Sequence, residues 1–121
     1  MANRIPIQTP LAFTQGETFV TKKYFPVDED NVAFDLTDAT AHTQARASAS
    51  ASSAAVDWTE STGVELDDAD NSFRLNVDEA ATALIAAGTY VFDLFIQLAG
   101  GRRILAMSGT LTVKDAVTDY P

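Results

Sequence analysis

The sequence predicts an all-β domain, an antiparallel sandwich, and three observations carry that expectation. The block from Gly88 to Lys114 is two long alternating runs joined by Ala99-Gly100-Gly101, the pattern of a β-hairpin. Upstream of it, short alternating runs are separated by turn signals at a spacing of roughly 8–12 residues, which gives about seven strands in all. Only one short stretch, near residues 79–87, reads as helix: Asp78 is placed to cap it and Gly88 to end it. A small closed barrel is the alternative closure for such a strand set.

Taken in order, residues 4–14 read as a broken edge strand, because Pro6 and Pro10 each lack the N–H that an inner strand needs. Gln15-Gly16 is a turn, and Glu17–Phe25 a strand rich in Thr, Val and aromatics. Pro26–Asn31 is an acidic turn; Val32, Phe34 and Leu36 then alternate toward one core. A turn over 36–40 leads into a strand over 41–48, whose residues His42, Gln44 and Arg46 share a polar face. Ser48–Ala55 is an Ala/Ser loop. Short strands follow at Val56–Thr59, with Trp58, and at Gly63–Leu66. Asp67–Asn71 is a turn, and Phe73, Leu75 and Val77 alternate inward after it. In the final hairpin Tyr90, Phe92, Leu94, Ile96 and Leu98 share one face, matched by Leu105, Met107, Leu111 and Val113. The other face mixes Val91, Phe95 and Ile104 with Asp93, Gln97 and Ser108. The helix near 79–87 or the Ala/Ser loop covers that face, or it stands open as a patch.

A chain of 121 residues suits one domain, and 46% hydrophobic residues are enough for a core. Eight basic against 17 acidic side chains give a net charge of −9, which opposes phosphate-backbone binding and makes free copies repel. With no cysteine, neither disulfides nor thiolate metal sites are available. The N-terminal residues lack the apolar core of a signal peptide, and no run approaches the roughly 20 apolar residues of a membrane helix.

Reactive constellations are sparse. His42 is the single histidine and reads as a solvated strand residue; Ser108-Gly109 lies mid-strand, not in a nucleophile elbow. Asp67, Asp68, Asp70 and Asn71 have the composition of a cation loop without its spacing, and Asp28–Asn31 likewise, so both read as solvated turns. Trp58 reads as core. Arg102 and Arg103, after Gly100-Gly101, are either a basic contact at a hairpin tip or charges that discourage edge pairing. No enzyme and no cofactor are expected.

An ordered series of short motifs runs through the chain: Gln15-Gly16-Glu17-Thr18, Leu36-Thr37…Ala41…Gln44-Ala45-Arg46, Gly88-Thr89-Tyr90-Val91-Phe92-Asp93-Leu94, Gly109-Thr110-Leu111-Thr112-Val113, and Val117-Thr118. In order and spacing it resembles small immunoglobulin-like virion proteins of tailed bacteriophages, including the N-terminal domain of siphophage upper baseplate proteins, over about residues 15–118. The resemblance implies an immunoglobulin-like sandwich over 15–114, preceded by an N-terminal arm or edge strand (1–14) and followed by a tail (115–121). It implies a structural protein of the virion, foremost a capsid decoration (cement) protein made in the host cytoplasm, binding the major capsid protein and sister copies. A small tail or baseplate adaptor is the second reading, and a carbohydrate-binding module the alternative of another class. Neither nucleic acid nor membrane is an expected partner. The contacts expected to bind are Ile5, Ile7, Leu11 and Phe13 on the arm, Val91, Phe95 and Ile104 on the hairpin's back face, and Arg102 and Arg103 at its tip.

Overall fold

The Gly88–Lys114 block folds as the expected hairpin and organises everything around it. The computed structural model describes residues 2–117, so the tail expected over 115–121 lies partly outside the described residues, as does Thr118 of the last motif. In chain order the elements are β1 (Asn3–Arg4), β2 (Ile7–Gln8), β3 (Leu11–Thr14), β4 (Phe19–Val20), β5 (Pro26–Val27), β6 (Thr40–Arg46), β7 (Val56–Thr59), β8 (Val64–Asp67), β9 (Ser72–Val77), α1 (Glu79–Ala83), β10 (Gly88–Gln97) and β11 (Arg103–Lys114). The larger sheet runs β2/β3–β11–β10–β6–β7, and a smaller one runs β4–β9–β8; β1 pairs with β5. The protein is all-β, a sandwich with the strand order of immunoglobulin-like domains. Its strand count exceeds the expected seven because the N-terminal segments are broken into short pieces.

The core lies between the sheets. From β10 it takes Tyr90, Phe92, Leu94 and Ile96, and from β9 Phe73, Leu75 and Val77, each set spaced by two as the pleat requires. Trp58 is buried and lies 6.4 Å from Phe13, ring centre to ring centre. The inward set of β11 differs from the expected one. Leu94 pairs with Met107 but Phe95 pairs with Leu105, so Ala106 has no partner across the ladder. This β-bulge shifts the alternation by one residue. Ile104 and Ala106 therefore point into the core with Met107, Leu111 and Val113, and Leu105 turns to the outer face, half-buried.

The N-terminal segment is an edge of its own sheet, not an arm. β2 and β3 run parallel to β11, with Met107 opposite Ile7 and Val113 opposite Phe13. Leu11 and Phe13 are buried, and Ile5 and Ile7 pack partly buried against the same core. The crossing between β2 and β3 lies so close to β11 that a Cβ on Gly109 would meet the Thr9 carbonyl oxygen, so only glycine fits there.

Two expected strands are mostly irregular, because side chains take over the ladder bonds. In Glu17–Phe25, Phe19 and Val20 pair with β9 as a strand; beyond them the Thr21 hydroxyl accepts from the Leu75 N–H at 3.1 Å, and Tyr24 meets β9 only in an isolated bridge with Phe73. In Val32–Leu36, the Asp28 carboxylate accepts from the N–H groups of Asp30 and Val32, and the Leu36 N–H donates to the Asn71 side chain at 3.0 Å. Phe34 and Leu36 are buried as expected, but Val32 is 59% exposed, lifted away by the turn at Asn31.

Helix α1 carries the expected Asp78 cap, whose carboxylate accepts from the Ala81 N–H at 2.9 Å. It ends at Ala83 instead of reaching 87, since the chain must dip to bury Ile85 before β10. This corner receives the turn after β3. The buried Thr82 hydroxyl donates to the Glu17 carbonyl at 2.8 Å and accepts from the Gly16 N–H at 3.1 Å, while the Gln15 amide donates to the Ile85 carbonyl at 2.8 Å. The Tyr90 hydroxyl closes the corner by donating to the Ala86 carbonyl at 2.6 Å, the tyrosine corner of such sandwiches.

Two outcomes test this architecture by chemical denaturation. Ile104→Ala should cost about 2–5 kcal/mol and Leu105→Ala about 1 kcal/mol or less; equal losses would contradict the bulge. Deleting residues 1–13 should unfold the domain, because it removes Leu11 and Phe13 from the core and the edge pairing of β11.

Candidate interaction face

The outer face of the larger sheet collects the side chains left over by this register. On β10 these are Val91, Asp93, Phe95 and Gln97; on β6 His42, Gln44 and Arg46; on β7 Asp57; on β11 Arg103, Leu105 and Ser108. Phe95 and Leu105 are cross-strand neighbours and half-buried, and Val91 is 40% exposed on the same strip. Helix α1 does not cover the strip: its contacts are with the turn at Gly16–Glu17, at the end of the sandwich. The Ala/Ser loop touches only one margin, where Arg46 donates to the Ala51 carbonyl at 3.0 Å.

Two shallow depressions flank the strip. One, about 570 Å³, is lined by His42, Gln44, Glu60, Asp93, Phe95 and Arg103. The other, about 310 Å³, lies among Arg46, Ala49, Val91, Asp93 and Leu105. Their rim is held by a chain of side-chain bonds. His42 Nε2 donates to Asp57 Oδ1 at 2.6 Å, the Gln44 amide donates to Asp57 Oδ2 at 3.0 Å, and Arg46 donates to Gln44 Oε1 at 2.8 Å. The Gln44 amide, then the His42 ring, hold the Asp57 carboxyl below the usual carboxylate range. Arg103 donates to Gln97 Oε1 at 3.0 Å, and Arg102 lies 5.4 Å from the centre of the Phe34 ring, a cation–π contact at the hairpin tip.

Of the residues expected to bind, the structure brings Val91, Phe95 and Arg103 onto this face and leaves Arg102 exposed beside it. Ile104, Leu11 and Phe13 belong to the core, and Ile5 and Ile7 pack at its edge. Leu105 was missed, although the unbroken apolar run Ile104-Leu105-Ala106-Met107 signals that simple alternation fails there. The partnership of His42 with Asp57 was missed too, since the two stand on different strands.

Elsewhere, the acidic turn after β8 is tied down by Lys23, 3.0 Å from Asp67 and 3.1 Å from Asp70. Among the described residues, no three His, Asp or Glu side chains group as a metal site would need. No protein-family model matches the chain, and no curated protein matches it. The face thus combines an apolar strip with a fixed polar rim.

Because its folded pKa is depressed, Asp57 contributes stability that is present above the ordinary carboxylate value of 3.8 and is lost as pH falls through its lower folded value. Asp57→Asn should therefore lower the thermal midpoint at pH 7 by a few degrees, for a loss of about 1 kcal/mol or less at this exposed site. The gap to the unmodified protein should close as pH falls below 3.8. A gap that stays constant with pH would show that the Asp57 charge adds nothing.

Proposed function

We propose that the protein is a structural component of a tailed-phage virion, foremost a capsid decoration protein that adheres to the major capsid protein and to sister copies. The observation that carries this reading is the outer sheet face, where an uncovered apolar strip of Val91, Phe95 and Leu105 is rimmed by pre-bonded polar side chains. Monomeric domains seldom leave such a strip in water without a binding purpose. The ordered motif series from Gln15 to Val113 supports the virion assignment, and the sandwich architecture agrees with it. The motif series itself has a structural sense: Gln15 and Gly16 dock on the corner at Thr82 and Ile85, and Tyr90 closes that corner.

A small tail or baseplate adaptor is the second reading, with the same face seated on a different ring of subunits. A carbohydrate-binding module has less support, since Trp58, the one tryptophan, is buried at 8% exposure and offers no platform.

Phe95→Asp should leave the thermal midpoint of the isolated protein within a few degrees of the original and abolish its attachment to particles. Sedimentation of tagged protein with purified capsids, and separately with purified tails, measures this. Binding to capsids supports decoration and binding to tails the adaptor. Binding to neither, or undiminished binding of the Phe95→Asp protein, overturns the proposal.

A further inference from the structure

Asp93 stands apart from the other charges of the outer face. Each of those is bonded within the chain: Asp57 to His42 and Gln44, Arg46 to Gln44 and the Ala51 carbonyl, Arg103 to Gln97, and Glu60 on the rim to the Ala41 N–H. The Asp93 carboxylate has no hydrogen bond or ion pair among the described residues; only its backbone carbonyl is engaged, by the buried Thr43 hydroxyl at 2.6 Å. Its cross-strand neighbour Gln44 is taken up by Asp57 and Arg46. Other acidic side chains are unbonded too, Glu29, Asp30, Asp38 and Asp68 among them, but those stand exposed in turns. Asp93 lies inside β10, between Val91 and Phe95, and borders both depressions.

Aspartate is a poor strand residue, so its place here costs the sheet stability. It also limits what can cover the strip. A partner seated on Val91, Phe95 and Leu105 must strip water from Asp93 as well, and that is favourable only where the partner brings a counter-charge. Both arginines of the face are already bonded, so the cation comes from a partner and not from a second copy of the same face. The net charge of −9 draws a basic surface in at long range. Phe95 stands beside Asp93 on the same strand face, about 7 Å along at ordinary strand rise. Its ring gives a planar guanidinium something to stack on, which a compact, strongly hydrated ammonium exploits less well.

We infer that the partner surface recognised by the outer face is centred on an arginine that pairs with Asp93 and stacks on Phe95, flanked by apolar side chains that cover Val91 and Leu105. The Thr43 bond fixes the backbone from which the carboxylate projects, so little freedom is lost on pairing. The inference rests on the reading of this face as an attachment surface and names the chemistry of what it attaches to.

Two tripeptides test it in solution without any particle: acetyl-Leu-Arg-Leu-amide and its citrulline counterpart, equal in shape but uncharged. Each is titrated to about 20 mM into isotope-labelled protein and followed by the backbone amide signals. The arginine peptide should shift the amides of β10 around Asp93 and Phe95, and the citrulline peptide should bind about tenfold more weakly or worse. Asp93→Asn and Asp93→Thr should each lose the preference for arginine. The thermal midpoint of Asp93→Thr should hold or rise, because threonine suits a strand better. Equal binding of the two peptides, no shift on β10, or a marked fall in the midpoint of both variants, which would make Asp93 a structural residue, overturns the inference. Sedimentation with particles separates the two readings. Capsids or tails that hold the unmodified protein and hold Asp93→Asn undiminished overturn the inference and leave attachment standing. An arginine preference that depends on Asp93, with no binding to either particle, supports the inference and overturns the virion reading.

Discussion

The unpaired residue in β11 governs both what the sandwich buries and what it shows. Without the bulge at Ala106, strict alternation from Met107 would turn Leu105 inward and Ile104 outward. With it, Ile104, Ala106 and Met107 are all buried, the last two at 0% exposure, and Leu105 joins Phe95 outside. β11 must also satisfy two neighbours at once, β10 antiparallel on one side and the N-terminal strands parallel on the other. A bulge lets one strand change phase midway without breaking either pairing. The core and the outer face of the larger sheet are thus two consequences of one local irregularity.

Around that ladder, polar side chains stand in for backbone pairing wherever the chain leaves the sheets. Thr82, Thr43 and Ser72 are buried, yet each is bonded: Thr82 to Glu17, Thr43 to the Asp93 carbonyl at 2.6 Å, and Ser72 to Asp70. No buried side-chain nitrogen or oxygen among the described residues lacks a partner. Several of the acidic side chains have local structural roles of the same kind, including Asp28 and Asp35 in their turns, Asp78 at the helix cap and Glu65 with Arg74. The acidity of the chain is therefore in part a record of its many side-chain-stabilised turns.

What the sequence disclosed follows period. β9 and β10 alternate without interruption, so their buried faces were legible residue by residue, as was the polar stripe of His42, Gln44 and Arg46 on β6. Val91 and Phe95 were legible as apolar intruders on a polar face. Legibility failed where alternation lost its phase, at Ile104-Leu105-Ala106-Met107, and where a turn lifted Val32 out. It also failed where pairing joined residues distant in the chain: Asp57 beside His42 follows from strand order, not from spacing. For the N-terminal segment, prolines at 6 and 10 are equally compatible with an arm and an edge strand. The apolar spacing of Leu11 and Phe13 around exposed Ala12 becomes decisive only once β11 is known to lie alongside.

The parallel run of β3 beside β11 has a mechanical side. Both strands point toward the Thr14–Lys114 end of the sandwich, and their four registered pairs form an evenly spaced ladder. Tension applied between the start of β3 and the end of β11 would draw the two strands past each other along their length. Every bond of the ladder would then be loaded in shear at the same moment, not peeled open one after another. Along this axis the domain would resist as a clasp that holds until all its bonds fail together.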